Sequence, residues 1–297
     1  MQRLLQRIDP IQPNVRTDCG VLFAHGVVSS ALARAVVWLN PIWTLRLLQI
    51  STTGATPPTY TGRTGSGAAT DMLINGDLAV RAFMDTERME WAPSPSGSVW
   101  RKRVHWVGPA EAGQVTSVVR YEAHSQFPAH DHPAGEEIFV LDGVFSDEHG
   151  HWPAGTYLLH PEGFRHAPFS EHGCRLFVKL RQYPGRERRR VAVDTASLAW
   201  QPGATRGVTE KPLYEQPGFA DSMRLVRWTP HTDLGTVIHA RGSELFVLEG
   251  GFEDDAGSYT QGCWMRLPVG FRQHPRTTSG CTMYVKTAGP GYLQAAA

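Results

Sequence analysis

An internal repeat limits the folds open to this chain more than any other feature of its sequence. The stretch GEEIFVLDGVFSDEHG begins at Gly135 and returns as GSELFVLEGGFEDDAG from Gly242. Upstream, MDTERMEWAPSPSG from Met84 resembles VDTASLAWQPGATRG from Val193, at nearly the same offset. The repeat therefore predicts two copies of one fold.

Each copy has the pattern of a set of short β-strands. The segments EIFVLDG, TYLLHP and RLFVKL, and their counterparts ELFVLEG, CWMRLP and TMYVKT, are apolar or alternating runs bounded by Gly, Pro or Asp. No long run with a helical period separates them, which disfavours a parallel βαβ arrangement. We therefore predict an all-β fold of two tandem barrels, because closing a sheet removes exposed strand edges.

The repeat also predicts the domain organisation. At 297 residues the chain is long enough for two domains that each bury a core. We expect an N-terminal segment at residues 1–75, a metal-binding barrel at 76–185 and a second, ligand-poor barrel at 186–297. The charged run GRERRR, from Gly185 to Arg190, lies at the expected junction and is interpreted as a solvated connection.

Residues 1–71 differ in composition from the rest of the chain. They contain six arginines but no lysine and no glutamate, and they end in the turn-rich run STTGATPPTYTGRTGSGAATD. Their most apolar part, from Val21 to Ile50, is interrupted by polar residues and a proline, so it is not expected to span a membrane. We expect a poorly ordered and dispensable segment. A native start at Met72 is an equally open alternative.

Charge and cysteine content exclude several classes of function. The net charge is +1 and charged residues make up 19% of the chain, which gives no reason to expect a nucleic-acid or membrane partner. The four cysteines, Cys19, Cys174, Cys263 and Cys281, form no CxxC pair. Neither a disulfide scaffold nor a thiolate zinc site is therefore indicated, and a cytoplasmic location is the simplest expectation.

Four residues have the chemistry and spacing of metal ligands. His130 and His132 are two residues apart, which in a strand places both imidazoles on one side. Glu136 follows after a Pro-Ala-Gly turn, and His166 comes from a later strand. Three imidazoles and a carboxylate suit a divalent first-row ion. We predict one metal ion per chain at these residues, with zinc or iron as first candidates and manganese or nickel as alternatives.

These residues also carry a resemblance to a known family. The pattern HxHxxxE, followed by Gly143 and then by G-x5-P-x-G-x2-H from Gly155 to His166, resembles the paired motifs of the cupin superfamily. The surrounding sequence resembles the cupin domain of ChrR-type proteins, the zinc-dependent anti-sigma factors, and related small dioxygenases that cleave dicarbonyl or hydroxyketone substrates. The resemblance covers residues 76–290 and is strongest over 119–183. It implies tandem cupin barrels, a bicupin of the double-stranded β-helix or jelly-roll kind.

The sequence departs from this family pattern at two positions. His124 stands where a glycine often opens the first motif, and Ser170 stands where an asparagine often ends the second. Neither change removes a predicted ligand.

The second copy lacks most of the ligand set. At the offset that aligns Gly135 with Gly242, the four predicted ligands correspond in order to Val237, His239, Ser243 and Gln273. A site like the first cannot form there. An alternative site from His239, Glu244 and His274 is a lesser possibility, since a shift of one residue turns a strand side chain to the other face. We interpret the second barrel as structural.

Three functions stay open at this point. The first is a metal-dependent enzyme of the dioxygenase type acting on a small molecule, with Tyr121 or Arg165 as candidates for substrate binding. The second is a regulatory or sensor protein of the anti-sigma kind, with a sigma factor as partner. The HxxxCxxC motif that the resemblance would require for this is missing from residues 1–75, which hold only His25 and Cys19. The third is a closed barrel with structural zinc. A homodimer joined through strand edges is compatible with each.

Deletion of residues 1–71 should leave folding and metal content intact, because the repeat and all four predicted ligands lie beyond this segment. Circular dichroism and elemental analysis of the truncated chain check this expectation. An insoluble or metal-free product would contradict it.

Overall fold

The computed structural model describes residues 72–110 and 112–287. These residues form strands and two single turns of 3-10 helix, Thr86–Arg88 and Thr195–Ser197, with no α-helix among them. The predicted all-β fold is therefore confirmed. Within the same part of the chain, no helix has the length and apolar character needed to cross a membrane. The predictions for residues 1–71 lie outside the described residues.

The first copy of the repeat contains thirteen strands in the part of the chain that the structure describes. In chain order they are β1 (Met72–Ile74), β2 (Ala82–Asp85), β3 (Ala92–Pro93), β4 (Val99–Gly108), β5 (Gln114–Tyr121), β6 (Ser125–Gln126), β7 (His130–His132), β8 (Glu136–Asp147), β9 (Gly150–Pro153), β10 (Thr156–His160), β11 (Phe164–His166), β12 (Phe169–Ser170) and β13 (Cys174–Leu180).

The second copy contains twelve strands in the described residues. They are β14 (Val191–Asp194), β15 (Gln201–Pro202), β16 (Val208–Tyr214), β17 (Ser222–Trp228), β18 (Thr232–Asp233), β19 (Val237–His239), β20 (Ser243–Asp254), β21 (Gly257–Thr260), β22 (Cys263–Leu267), β23 (Phe271–Gln273), β24 (Arg276–Thr277) and β25 (Cys281–Thr287).

Both copies build the same antiparallel barrel. The main sheet of the first has the order β1-β4-β5-β13-β8-β10-β14, and that of the second has the order β15-β16-β17-β25-β20-β22-β2. The long strand β8 pairs with β10 and β13 in the main sheet and then with β9 and β12 in a smaller one. β20 does the same with β22, β25, β21 and β24. The tandem jelly-roll barrels predicted from the repeat are thus confirmed.

The two barrels exchange a strand. β2 precedes the first barrel in sequence but pairs with β22 of the second. β14 precedes the second barrel and pairs with β10 of the first. The exchange is reciprocal, so each main sheet ends in a strand that comes from the other copy.

Apolar side chains form three buried clusters. One fills the interior of the first barrel around Val140 and Leu176, and another fills the second around Val247 and Met283. The third contains residues of both copies and includes Phe177 and others from the outer face of each main sheet. Burying these faces against each other joins the barrels, since apolar surface removed from water stabilises the folded state.

Aromatic rings and ionic groups share this interface. Phe177 of the first barrel stacks on Phe246 of the second, with ring centroids 4.5 Å apart. Lys179 lies 2.6 Å from the Glu244 carboxylate across the same boundary. Tyr284 of the second barrel also donates to the Glu137 carboxylate of the first at 2.6 Å. These polar contacts add geometric restraints to the apolar packing.

Phe177→Ala should lower the free energy of unfolding by about 3 to 5 kcal/mol, because it removes a buried ring and leaves a cavity between the barrels. Urea denaturation followed by circular dichroism measures the change. Val269→Ala is the control, since Val269 is 61% exposed and its truncation should change stability by no more than about 0.5 kcal/mol. Equal stabilities of the two variants would contradict the assigned role of the interface ring.

Candidate metal centre

Two short antiparallel strands bring three of the predicted ligands together. His130 and His132 lie two residues apart on β7, so their side chains extend from the same side of the strand. β11 pairs with β7 so that His166 lies opposite His130 and Phe164 lies opposite His132. Strand register, rather than proximity in sequence, therefore places His166 beside the other two histidines.

The fourth predicted ligand, Glu136, is the first residue of β8. The tight turn before it depends on Gly135, whose φ of 72° is strained for any residue with a side chain. A Cβ atom at Gly135 would also lie 2.7 Å from the Cβ atom of Tyr183. The turn places Glu136 Oε2 3.5 Å from the Nε2 atoms of both His132 and His166.

The donor atoms have the spacing that ligands of one ion require. The Nε2 atoms of His132 and His166 are 2.9 Å apart, and ligand atoms of these two residues and of His130 all lie within 4.8 Å of one another. Two nitrogens bound at a right angle to one ion, each about 2.1 Å from it, would be about 3.0 Å apart. The three histidines fit a first-row divalent ion in spacing, and Glu136, which is close to His132 and His166, adds a carboxylate to the donor set. That they are the ligands stays a prediction.

Burial and the neighbouring groups together determine the protonation of these side chains. His132 and Glu136 are each 6% exposed and His166 is 1% exposed, whereas His130 is half-buried. Burial lowers the pKa of His132 to about 4, so its imidazole is neutral at neutral pH and has a lone pair for a metal. Burial alone would raise the pKa of Glu136, but the neighbouring histidines outweigh it and hold the pKa at about 2. The carboxylate is therefore ionised.

Hydrogen bonds from the Nδ1 atoms orient two of the imidazoles. His130 Nδ1 donates to the carbonyl oxygen of Pro128 at 2.9 Å. His166 Nδ1 donates to the Asp147 carboxylate at 3.1 Å, and the same carboxylate accepts from Trp152 Nε1 at 3.2 Å. With Nδ1 as the donor in both imidazoles, Nε2 is the ring nitrogen of each that can bind a metal ion. Contacts of this kind fix the ring orientation of metal-binding histidines.

Spacing in the sequence did not single out His160, which the structure places against this cluster. His160 ends β10 directly opposite Glu136, and its Nδ1 lies 3.1 Å from Glu136 Oε2. Its ring stacks on Phe164 at 4.1 Å between centroids, and its buried Nε2 has no hydrogen-bond partner. Ligand atoms of Glu136, His160 and His166 also lie within 4.8 Å of one another. Pairing between β8 and β10 was the signal that could have identified it.

A cavity leads from the surface to these residues. Its outer part has a volume of about 390 Å³ and is lined by His130 and His132 together with Arg101 and Phe127. A smaller chamber of about 110 Å³ lies deeper and is lined by the same four residues and by Glu136. A small molecule that entered the cavity would therefore meet the histidines and the carboxylate at its inner end.

The two candidates for substrate binding have different positions. Tyr121 lines the inner chamber. Arg165 does not line either part of the cavity; it is exposed and lies 3.3 Å from the Asp131 carboxylate. Tyr121 can therefore contact a bound molecule, whereas Arg165 stabilises the outer side of the β7 and β11 pair.

The corresponding position in the second barrel is occupied by a hydrogen-bonded network. His239 Nδ1 lies 2.9 Å from Ser243 Oγ, and its Nε2 lies 3.2 Å from Gln273 Oε1. Gln273 Nε2 donates to Asp254 at 2.8 Å. Both nitrogens of His239 thus have protein partners, and the residues that replace the other donors offer no charged ligand.

The alternative site in the second barrel does not form. Glu244 pairs with Lys179 at the barrel interface, and His274 is partly exposed with its Nε2 3.0 Å from Asp233. Among residues 72–110 and 112–287, both clusters of donors close enough to share an ion lie in the first barrel.

His132→Ala should lower metal affinity by more than the roughly 10- to 100-fold that loss of an outer-sphere contact produces, because it removes a buried donor at the centre of the cluster. Elemental analysis of the purified variants measures the bound metal. His239→Ala is the matched control, since His239 occupies the equivalent position on β19 and should leave metal content unchanged. Unaltered metal in His132→Ala would refute the site.

Comparison with known families agrees with this fold. The family model described as the ChrR cupin-like domain matches the chain twice, over residues 79–184 and 188–289. No protein with a curated function matches the sequence significantly.

Several solved structures share the fold. A candidate dioxygenase from Nostoc punctiforme PCC 73102 has a TM-score of 0.59 at 17% identity, covering 71% of this chain and 83% of its own. The pirin YhhW of Escherichia coli, solved with nickel(II), has a TM-score of 0.51 at 15% identity, covering 71% and 100%. The oxalate decarboxylase of Lactobacillus farciminis, solved as a formate complex, has a TM-score of 0.51 at 10% identity, covering 70% and 86%. At these identities the likeness shows the fold alone.

Proposed function

Because the chain belongs to the ChrR cupin-like domain family, we propose that its first barrel is a metal-dependent enzyme of the dioxygenase type. Its substrates would be small diketones, hydroxyketones or similar molecules. One observation carries the proposal: three of the four predicted ligands, His130, His132 and Glu136, line a cavity and are not enclosed in a closed core. A catalytic metal needs a coordination position open to substrate, whereas a structural ion is enclosed by protein ligands.

In this proposal, His130, His132, Glu136 and His166 hold one divalent ion. Such an ion supplies Lewis acidity toward a substrate oxygen and, for a redox-active metal, a centre for dioxygen chemistry. Of the metals considered, iron, manganese and nickel suit this function better than zinc, which has no redox chemistry.

The protein groups around the cluster have separate roles. Pro128 and Asp147 hold the Nδ1 protons of His130 and His166, so that both rings present Nε2 to the ion. His160 contacts Glu136 and keeps that carboxylate directed at the cluster. The apolar side chains of the inner chamber, such as Phe145 and Leu176, exclude bulk water from the reacting groups.

The overall reaction balances without an external reductant. With a terminal hydroxyketone, the bond between the carbonyl carbon and the hydroxymethyl carbon breaks, and each carbon gains one atom of dioxygen. The products are a carboxylic acid and formic acid, and the substrate carbons supply the electrons that reduce dioxygen. A β-diketone gives a carboxylic acid and a ketoaldehyde in the same way.

Two of the similar structures agree with this proposal. One is named a candidate dioxygenase, and another was solved with nickel(II). The donor set of this chain, and not the likeness of fold, carries the argument.

We expect the protein reconstituted with iron(II), manganese(II) or nickel(II) to consume one dioxygen per substrate cleaved on a panel that includes pentane-2,4-dione and 2-hydroxyacetophenone. An oxygen electrode and product chromatography measure this. His132→Ala should lose the activity by at least about 100-fold, because it removes a ligand, and His239→Ala should retain it.

No oxygen uptake on the whole panel with any of these metals bound would overturn the enzyme assignment. Zinc that is not displaced by these metals, together with no oxygen uptake, would favour the sensor function that the ChrR resemblance implies.

A further inference from the structure

We propose that the second barrel carries a nucleophilic serine, Ser243, which takes acyl groups from small carboxylic esters with His239 as its general base. Ser243 Oγ lies 2.9 Å from His239 Nδ1. A hydroxyl bonded to an imidazole that a third group orients is the arrangement that activates a serine for attack on a carbonyl carbon. This site contains none of the four predicted metal ligands, so it is separate from the function proposed for the first barrel.

The Asp254 carboxylate fixes the direction of each hydrogen bond that leads to Ser243. An ionised carboxylate only accepts, so the amide nitrogen of Gln273, 2.8 Å from Asp254 Oδ2, faces it as the donor. The amide oxygen of Gln273 then accepts from His239 Nε2 at 3.2 Å. In a neutral imidazole the other nitrogen has the lone pair, and His239 Nδ1 therefore accepts from the Ser243 hydroxyl.

The protonation of Asp254 and His239 agrees with these directions. Burial alone would raise the pKa of Asp254, but hydrogen bonds from Gln273 and Tyr259 outweigh it and hold the pKa below its usual value. Burial lowers the pKa of His239, so its imidazole is neutral at neutral pH. A neutral imidazole with an unprotonated Nδ1 is able to take a proton from a serine.

The reactive hydroxyl lies at the more accessible end of this series of groups. Asp254 and Gln273 are 7% and 5% exposed, whereas His239 and Ser243 are half-buried. The groups that orient the imidazole are thus shielded from water, which would otherwise compete for their hydrogen bonds. A small substrate meets Ser243 and His239 first.

Ser243 lies on the inner face of the second barrel. It alternates with Leu245 and Val247 along β20, and both of these belong to the apolar cluster inside the barrel. It also occupies the position of Glu136, which lines the inner chamber of the first barrel. The end of the barrel that receives the metal ligands in the first copy therefore carries the serine in the second.

A guanidinium group lies on the same face. Ser243 pairs directly with Thr287 across β20 and β25, so both side chains extend to one side of the sheet. Arg224 Nη1 donates to Thr287 Oγ1 at 3.1 Å, and Arg224 Nε lies 3.4 Å from the Glu210 carboxylate. A guanidinium has five N–H groups, so these two contacts leave donors for the negative oxygen that forms when a serine attacks a carbonyl.

The reaction needs no co-reactant other than water. Ser243 Oγ bonds to the carbonyl carbon of the ester while its proton passes to His239 Nδ1. The bond from this carbon to the alcohol oxygen then breaks, and the leaving alcohol takes the proton from Nδ1. Water attacks the acyl carbon in the same way, gives a proton to Nδ1 and releases the carboxylic acid, which restores the serine. Nothing is oxidised or reduced.

We expect the metal-loaded full chain to release p-nitrophenolate from p-nitrophenyl acetate and to carry an acetyl group on Ser243 after an acid quench. Ser243→Ala and His239→Ala should each slow the first turnover by about 100-fold or more, because a nucleophile or its general base is lost. Stopped-flow absorbance measures the rate, and peptide mass spectrometry locates the acetyl group.

Ser222→Ala is the matched control. Ser222 lies opposite Thr287 in the same row of strand partners, and it has no hydrogen bond to a histidine among the residues that the structure describes. Its truncation should leave the first turnover unchanged. Metal content is measured for every variant, and Ser243→Ala should retain the metal, since Ser243 lies outside the cluster of predicted ligands.

An unchanged first turnover in Ser243→Ala would overturn the proposal. An acetyl group found only on lysine residues or on His239 of the unaltered chain would also overturn it, and this measurement decides the matter if a variant fails to fold.

Discussion

Reciprocal exchange of β2 and β14 is the constraint on which the rest of the structure depends. Because each main sheet ends in a strand from the other copy, neither barrel completes its main sheet from a continuous stretch of chain. Equivalent lysines secure the two exchanged segments: Lys102 donates to the Thr86 carbonyl oxygen, and Lys211 donates to that of Thr195, each at 2.7 Å. These contacts hold the exchanged segments against the faces that meet at the interface.

The same barrel backbone carries different networks of side-chain hydrogen bonds in its two copies. Asp147 in the first barrel and Asp254 in the second occupy equivalent positions at the ends of β8 and β20. Asp147 accepts a hydrogen bond from His166, whereas Asp254 accepts from Gln273 and also lies 3.4 Å from the guanidinium of Arg81. Arg81 immediately precedes the exchanged strand β2, so the first half of the chain supplies a cation to the second barrel. A buried carboxylate needs such partners to remain ionised.

The sequence predicted the two barrels and the grouping of the four predicted ligands, because both leave local signals. Strand alternation and the repeat indicated the fold, and the spacing of His130 and His132 indicated one face of a strand. Sheet membership of β2 and β14 leaves no local signal, since a short strand does not encode which distant edge it will pair with. The place of His160 depended on cross-strand register in the same way.

The positions of Arg101 and Arg103, which line the cavity, were missed for a different physical reason. Arg101 and Arg103 alternate with other residues along β4, a pattern that equally describes the solvated face of an antiparallel sheet. Only closure of the barrel turns that face toward the ligand cluster. Charge patterning within one strand therefore could not distinguish a cavity wall from an exposed surface.

The arrangement of donors also defines the direction from which a substrate reaches them. His166 is almost fully buried and lines neither part of the cavity, and His160 is buried behind Glu136. His130 is half-buried and lines both parts. Hydrogen bonds hold the side chains of His166 and Glu136 on the side away from the cavity. The side of the cluster open to a ligand is therefore the one that His130 shares with Arg101. The predicted ligand His130 and the Arg101 side chain thus line the same space, which allows one small molecule to contact both.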